Sequence, residues 1–161
     1  MQKSFTGLNS ASRAWLIAGL QLKYPGITVI CSSRQSCEKL AGDLAFFSNC
    51  QKLLSFPAWD TLPFESVSPQ TIVCAERIST LTAFLDGSPH IAVTPVEALL
   101  QRLLPRNFIS SLRLRIVPGN RYGRKELLRH LDAGGYRRVS LVEDIGDIAV
   151  RGLVIDIMAP S

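Results

Sequence analysis

Apolar and polar positions follow two rhythms over the first hundred residues. Ala14, Trp15, Ala18 and Leu22 recur at helical spacing within residues 11–22, and Pro25-Gly26 stops the run. Ile27-Thr28-Val29-Ile30-Cys31 is short, almost wholly apolar and rich in β-branched side chains, as in a strand buried on both faces of a parallel sheet. Ser33 offers an oxygen to the free amides of a following helix, whose apolar stripe is Cys37, Leu40, Leu44 and Phe47. Leu53-Leu54-Ser55-Phe56 reads as a second strand, ended by Pro57.

The prolines and small polar residues of the segment from Ala58 to Pro69 leave room only for a loop. Pro69 suits a first helical turn, and Val73, Arg77, Leu81 and Leu85 at steps of four predict a helix closed by Asp86-Gly87-Ser88-Pro89. His90 to Thr94 is a third strand. It feeds Thr94-Pro95-Val96-Glu97, which has the form of a capping box with proline at N1, before a stripe of Val96, Leu99, Leu100 and Leu103. Three strand–helix alternations predict an open parallel α/β sheet.

The pattern then changes. Leu112-Arg113-Leu114-Arg115-Ile116-Val117 alternates with period two and predicts a half-exposed strand with arginines on its wet face. Gly119–Gly123 reads as a turn, Arg124–Ala133 as a helix and Gly134-Gly135 as its terminator. Tyr136–Val142 and Ala149–Met158 read as strands joined by an acidic hairpin through Gly146. This second part is expected to be a small, partly antiparallel α+β unit.

With 161 residues, 47% of them hydrophobic, the chain can bury a core. No apolar run is long enough to span a membrane and no secretory signal opens the chain, so a cytoplasmic location is expected. Cys31, Cys37, Cys50 and Cys74 form no CxxC pair, and His90 and His130 add little toward a zinc site, so free thiols are expected.

Charge divides the chain more sharply than composition does. Residues 1–101 carry seven basic and seven acidic side chains, whereas Arg106 to Arg138 holds nine basic residues against Glu126 and Asp132. The cations include Arg113, Arg115, Arg121, Arg124, Lys125 and Arg138; an acidic stretch with a lone Arg151 follows. A boundary near residue 110 is expected, giving domains 1–110 and 111–161.

Catalytic signatures are weak. Phe5-Thr6-Gly7-Leu8-Asn9-Ser10-Ala11-Ser12 has one glycine and no lysine before Lys23, so it lacks the parts of a phosphate-binding loop. No GxSxG or HExxH occurs. Nine cations in 33 residues read either as a solvated face or, as their concentration favours, as a contact for something acidic, a protein surface or a phosphate backbone. Only Tyr122 and Tyr136 interleave them, too few for a base-stacking platform. Two functions therefore stand side by side: a protein-docking module and a general basic DNA-binding module.

The segment Trp59-Asp60-Thr61-Leu62-Pro63-Phe64-Glu65-Ser66-Val67-Ser68-Pro69, with Arg77-Ile78-Ser79-Thr80-Leu81, resembles the N-terminal part of the bacterial transcription-repair coupling factors (Mfd). Ala133-Gly134-Gly135-Tyr136-Arg137 and Val150-Arg151-Gly152-Leu153-Val154-Ile155-Asp156-Ile157 resemble the same family, which is related to the excision-repair subunit UvrB. The resemblance implies a degenerate RecA-like parallel-sheet domain without a P-loop, then a partial small α+β domain that docks UvrA. It puts Ser10 and Ala11, after Thr6-Gly7, where UvrB has the P-loop lysine and threonine. The docking positions it implies are Arg137, Arg151, Leu153 and Ile155; Ala149 replaces a further UvrB arginine. It implies no catalysis and no cofactor for this stretch. ATP, magnesium, RNA polymerase and double-stranded DNA would be bound by the full-length protein, the first two in later domains. Relatives continue with more strands after Ala159-Pro160-Ser161, so a truncated chain or a shortened homologue is expected, with an unpaired sheet edge.

Overall fold

A computed structural model describes residues 3–47, 52–62 and 64–160. Cys50, Pro63 and Ser161 lie outside the described residues. The chain divides into two compact units, Met1–Arg102 and Leu103–Ser161.

In the first unit, α1 (Ser10–Gln21), β1 (Gly26–Cys31), α2 (Arg34–Phe47), β2 (Leu53–Ser55), α3 (Thr71–Asp86), β3 (His90–Pro95) and α4 (Val96–Leu99) follow in order. The strands form a parallel sheet in the order β1-β3-β2. Central β3 is buried at every position, because it pairs on both edges. Ala14 of α1 and Cys37, Leu40 and Leu44 of α2 pack with Ile91 and Val93 on one face of the sheet, while Leu54, Ala83 and Ala92 form a core on the other. As expected, Ser33 opens α2, its hydroxyl accepting the Ser36 amide hydrogen at 3.2 Å.

Several expectations for this unit are corrected. β1 is not buried on both faces: it is an edge strand on which exposed and half-buried residues alternate, and Ile30 is 58% exposed. Trp15, Leu22 and Phe47 are exposed too; the small Ala14 takes the inward position on α1 and lets α2 approach. No capping box forms. The N-cap of α4 is Pro95, without a side-chain bond, and the helix lasts one turn. Thr94 lies on buried β3, where its hydroxyl donates to the Phe56 carbonyl at 2.8 Å. Satisfying that buried carbonyl takes precedence over a cap that water could replace. Val96, Leu99, Leu100 and Leu103 are accordingly exposed.

The second unit contains α5 (Arg106–Leu112), α6 (Arg124–Ala133), β4 (Arg137–Arg138), β5 (Asp147–Arg151) and β6 (Val154–Ile157). Its sheet runs β4-β5-β6; β4 pairs parallel to β5, and β5 antiparallel to β6. The expected strand at 112–117 is absent. Leu112 ends α5, and residues 113–117 pair with no strand among the described residues. Tyr122 holds this segment instead, its hydroxyl accepting the Val117 amide hydrogen at 2.9 Å.

The hairpin is also displaced from Gly146 to Gly152-Leu153. Arg151 faces Val154 across this two-residue turn. Gly152 has φ 58° and Leu153 does not share the left-handed conformation, as a type II′ turn requires. The turn sets Ile148 opposite Ile157 and Val150 opposite Ile155, so the apolar positions share a face.

Candidate functional site

The turn that opens α1 faces solvent. Thr6, Gly7 and Ala11 are exposed, and Gly7 has φ 74°. Asn9 caps the helix, its side-chain oxygen accepting the Ser12 amide hydrogen at 2.8 Å. Ser10 is committed to Asp43 of α2, its hydroxyl donating to that carboxylate. A phosphate here would find one amide already occupied and a carboxylate next to Ser10, where a phosphate-binding loop needs a cation. An open apolar depression of about 440 Å³ lies alongside, lined by Phe5, Leu8, Ala11, Trp15, Leu16 and Phe47.

The Trp59–Pro69 loop is built on Arg77. This residue is 2% exposed, and its guanidinium carbon lies 4.3 Å from the ring centre of Phe56 and 4.2 Å from that of Trp59. One Nη1 donates to the Pro57 carbonyl at 2.5 Å and to Gln101 Oε1 at 3.3 Å; the same Gln101 oxygen accepts the Trp59 amide hydrogen at 2.8 Å. Burial pulls the guanidinium below its ordinary pKa. Asp60 accepts the Gln70 amide hydrogen at 3.2 Å, and Glu65 that of Leu62 at 2.9 Å. The acidic residues of this loop thus brace the backbone. The burial of Arg77 went unread in the sequence, although its place in an otherwise apolar stripe was a signal.

His90 and His130 are structural as well. His90 Nδ1 sits 2.6 Å from the Ser88 carbonyl and His130 Nε2 sits 2.8 Å from that of Leu112. Cys31, Cys37 and Cys74 are free thiols. Burial, followed by a hydrogen bond with Cys31, pushes the Cys37 thiol up to about 12. No group of three or more histidine, cysteine or acidic side chains able to hold a metal occurs among the described residues. Nor is any described helix long and apolar enough to cross a membrane.

The arginines of the second unit carry the most organised polar arrangement. Arg137 Nε and Nη2 donate to Asp147 Oδ1 at 3.1 and 2.9 Å. Asp147 is 3% exposed and also accepts the amide hydrogens of Asp144 at 3.1 Å and Glu143 at 3.4 Å. Burial pushes its carboxyl up, but the Asp144 amide, Arg137 and the Glu143 amide together outweigh it and hold the pKa below the ordinary carboxylate value. Arg151 Nε donates to Asp156 Oδ2 at 3.1 Å, with Nη2 on the same oxygen. Arg138 is paired with Asp132 through Nε at 3.1 Å and Nη2 at 2.6 Å.

Strand geometry sorts these pairs. Arg137 is in register with Asp147, Ala149 with Asp156 and Arg151 with Val154, so all six residues occupy one face of the sheet. Arg138 and Ile155 lie on the opposite face, and Leu153 stands at the turn tip, 97% exposed. The structure thus puts Arg137 and Arg151 on one face of the sheet, at opposite ends of β5, and Ile155 on the other face. Arg113, Arg115, Arg121, Arg124 and Lys125 are all exposed, in the 113–117 segment, the following turn and the first turn of α6.

A family model described as the UvrB interaction domain matches residues 114–161. The transcription-repair-coupling factor of Escherichia coli K12 is 30% identical over 157 residues, 97% of this chain and 14% of that protein. That of Myxococcus xanthus is 32% identical over 163 residues, 96% of this chain and 14% of its own length. That of Staphylococcus aureus is 30% identical over 158 residues, 94% of this chain and 13% of its own. This chain is a homologue of the N-terminal region of the transcription-repair-coupling factors. It spans about a seventh of the length of these relatives. The two paired arginines and the β5–β6 hairpin fall within the stretch that matches the UvrB interaction domain, whereas the Arg77-braced loop lies before it.

Proposed function

We propose that this chain is a non-catalytic docking module of a DNA-repair protein, and that it binds UvrA through Arg137 and Arg151. The observation that carries the reading is the placement of both arginines on one strand face, within the segment similar to the UvrB interaction domain. Their planar forks suit fixed-geometry bonds to carbonyl and carboxylate oxygens of a protein surface. Leu153 at the turn tip supplies an apolar contact beside them. Nucleotide turnover is not assigned to this region; ATP-driven movement on DNA and RNA polymerase binding are activities proposed for the full-length protein. Titrating purified UvrA with the chain should give a stoichiometric complex that Arg151→Ala or Arg137→Ala abolishes. Undiminished binding by both variants would remove the reading.

A second reading, sequence-independent duplex binding, has one observation in its favour. Arg121, Arg124, Lys125 and Arg129 are exposed and have no ion-pair partner among the described residues. A phosphate-binding role predicts affinity that falls steeply with salt, with a slope reduced by about one for each cation removed.

A further inference from the structure

We infer that Asp147 and Asp156 are positioning residues for the docking arginines, each holding one guanidinium by its Nε–Nη2 edge so that the Nη1 group is presented to oxygens of a protein partner. The inference rests on the docking reading above and specifies how that face works. In both pairs the bonds to aspartate use Nε and Nη2 and leave Nη1 outside the pair. The arginine side chains stay open to solvent, at 68% and 62% exposure, while their aspartates are at 4% and 35%. The Arg138–Asp132 pair uses the same Nε–Nη2 edge but stands on the opposite face of the sheet, so what sets Arg137 and Arg151 apart is the face they share.

The chemistry of the partner follows from the charge count. Arg137 faces Asp147 at 2.9 Å and Asp144 at 3.7 Å, and Arg151 faces Asp156, so neither arginine offers unbalanced positive charge. Long-range attraction for a phosphate backbone is cancelled on this face, and what remains is oriented N–H groups. That suits a protein surface with carbonyl and carboxylate acceptors at fixed positions. A guanidinium already fixed by its aspartate also loses less side-chain freedom when a partner binds.

Asp156→Asn separates orientation from charge, because the two predict opposite signs. Removing a negative charge beside Arg151 strengthens attraction for an acidic partner if charge alone matters. Loss of orientation weakens binding instead, here by roughly tenfold, the equivalent of about 1.4 kcal/mol. The experiment is calorimetric titration of purified UvrA with the 161-residue chain and its variants Asp156→Asn, Asp147→Asn, Arg137→Ala, Arg151→Ala and Asp132→Asn. Asp132 partners Arg138 on the other face and serves as the control. Circular dichroism melting checks that each variant is folded; should Asp147→Asn unfold, Asp156→Asn carries the test. Weaker binding by Asp156→Asn with native-like binding by Asp132→Asn supports the inference. Unchanged or tighter binding by Asp156→Asn, or an equal loss with Asp132→Asn, overturns it while arginine dependence keeps the docking reading intact. If Arg137→Ala and Arg151→Ala bind like the native chain, the docking reading fails and takes the inference with it.

Discussion

Among the described residues Arg77 meets two aromatic faces and two oxygens and forms no ion pair, so its charge is balanced by quadrupoles and dipoles. Arg77→Met keeps most of the volume and loses those contacts; destabilisation of about 3 kcal/mol is expected, read by denaturant unfolding. Asp147 contributes to the response to acid. Its pKa in the folded chain lies below the ordinary value, so the stability it contributes is fully present above the unfolded pKa and is lost as pH falls through the folded one. Thermal midpoints of the native chain should therefore drop on acidification below pH ~4, the ordinary aspartate range, and Asp147→Asn should flatten that limb. The sequence made the candidate arginines legible, since Tyr-Arg and Arg-Gly stand out in a matched segment. Their aspartate partners were not legible, because Asp147 and Asp156 come beside Arg137 and Arg151 only once the strands are in register.

At the scale of elements, the parallel sheet was readable because each strand carries its own apolar run and each helix its own punctuation. Gly87, in the left-handed conformation at φ 62°, ends α3 where Asp86-Gly87 indicated. Reading failed where long-range pairing decides the outcome. The alternation from Leu112 to Val117 fits a strand, yet a strand needs a partner edge, and Tyr122 supplies that backbone's hydrogen bond instead. Two glycines competed for the hairpin. Gly152 takes it because a two-residue turn there aligns Ile148 with Ile157, whereas Gly146 donates its amide hydrogen to Met158 at the open end of the same ladder. Gly152→Ala forces a side chain into φ 58° and should cost about 1 kcal/mol, measured as a lowered unfolding midpoint, with the hairpin amides losing exchange protection first.

At the scale of the whole molecule, a net charge of +5 hides two electrostatic characters. The strand face of the second unit is paired and neutral, while Arg121, Arg124, Lys125 and Arg129 form no ion pair among the described residues. Salt should tell them apart. UvrA binding through the paired face should change little between 50 and 200 mM salt, whereas any duplex binding through the four unpaired cations should fall about a hundredfold over that range. Filter binding and calorimetry on the same preparation would compare the two.

The bond from Ser10 to Asp43 has a consequence for anyone hoping to awaken nucleotide grip in this unit. The hydroxyl acts as a brace between the first two helices, so Ser10→Lys would set an ammonium beside an acid that already waits for it. The new charge would be spent inside the protein before any triphosphate arrived. Building a triphosphate pocket here would mean dismantling that brace as well as installing a glycine-rich turn, and no single substitution does both.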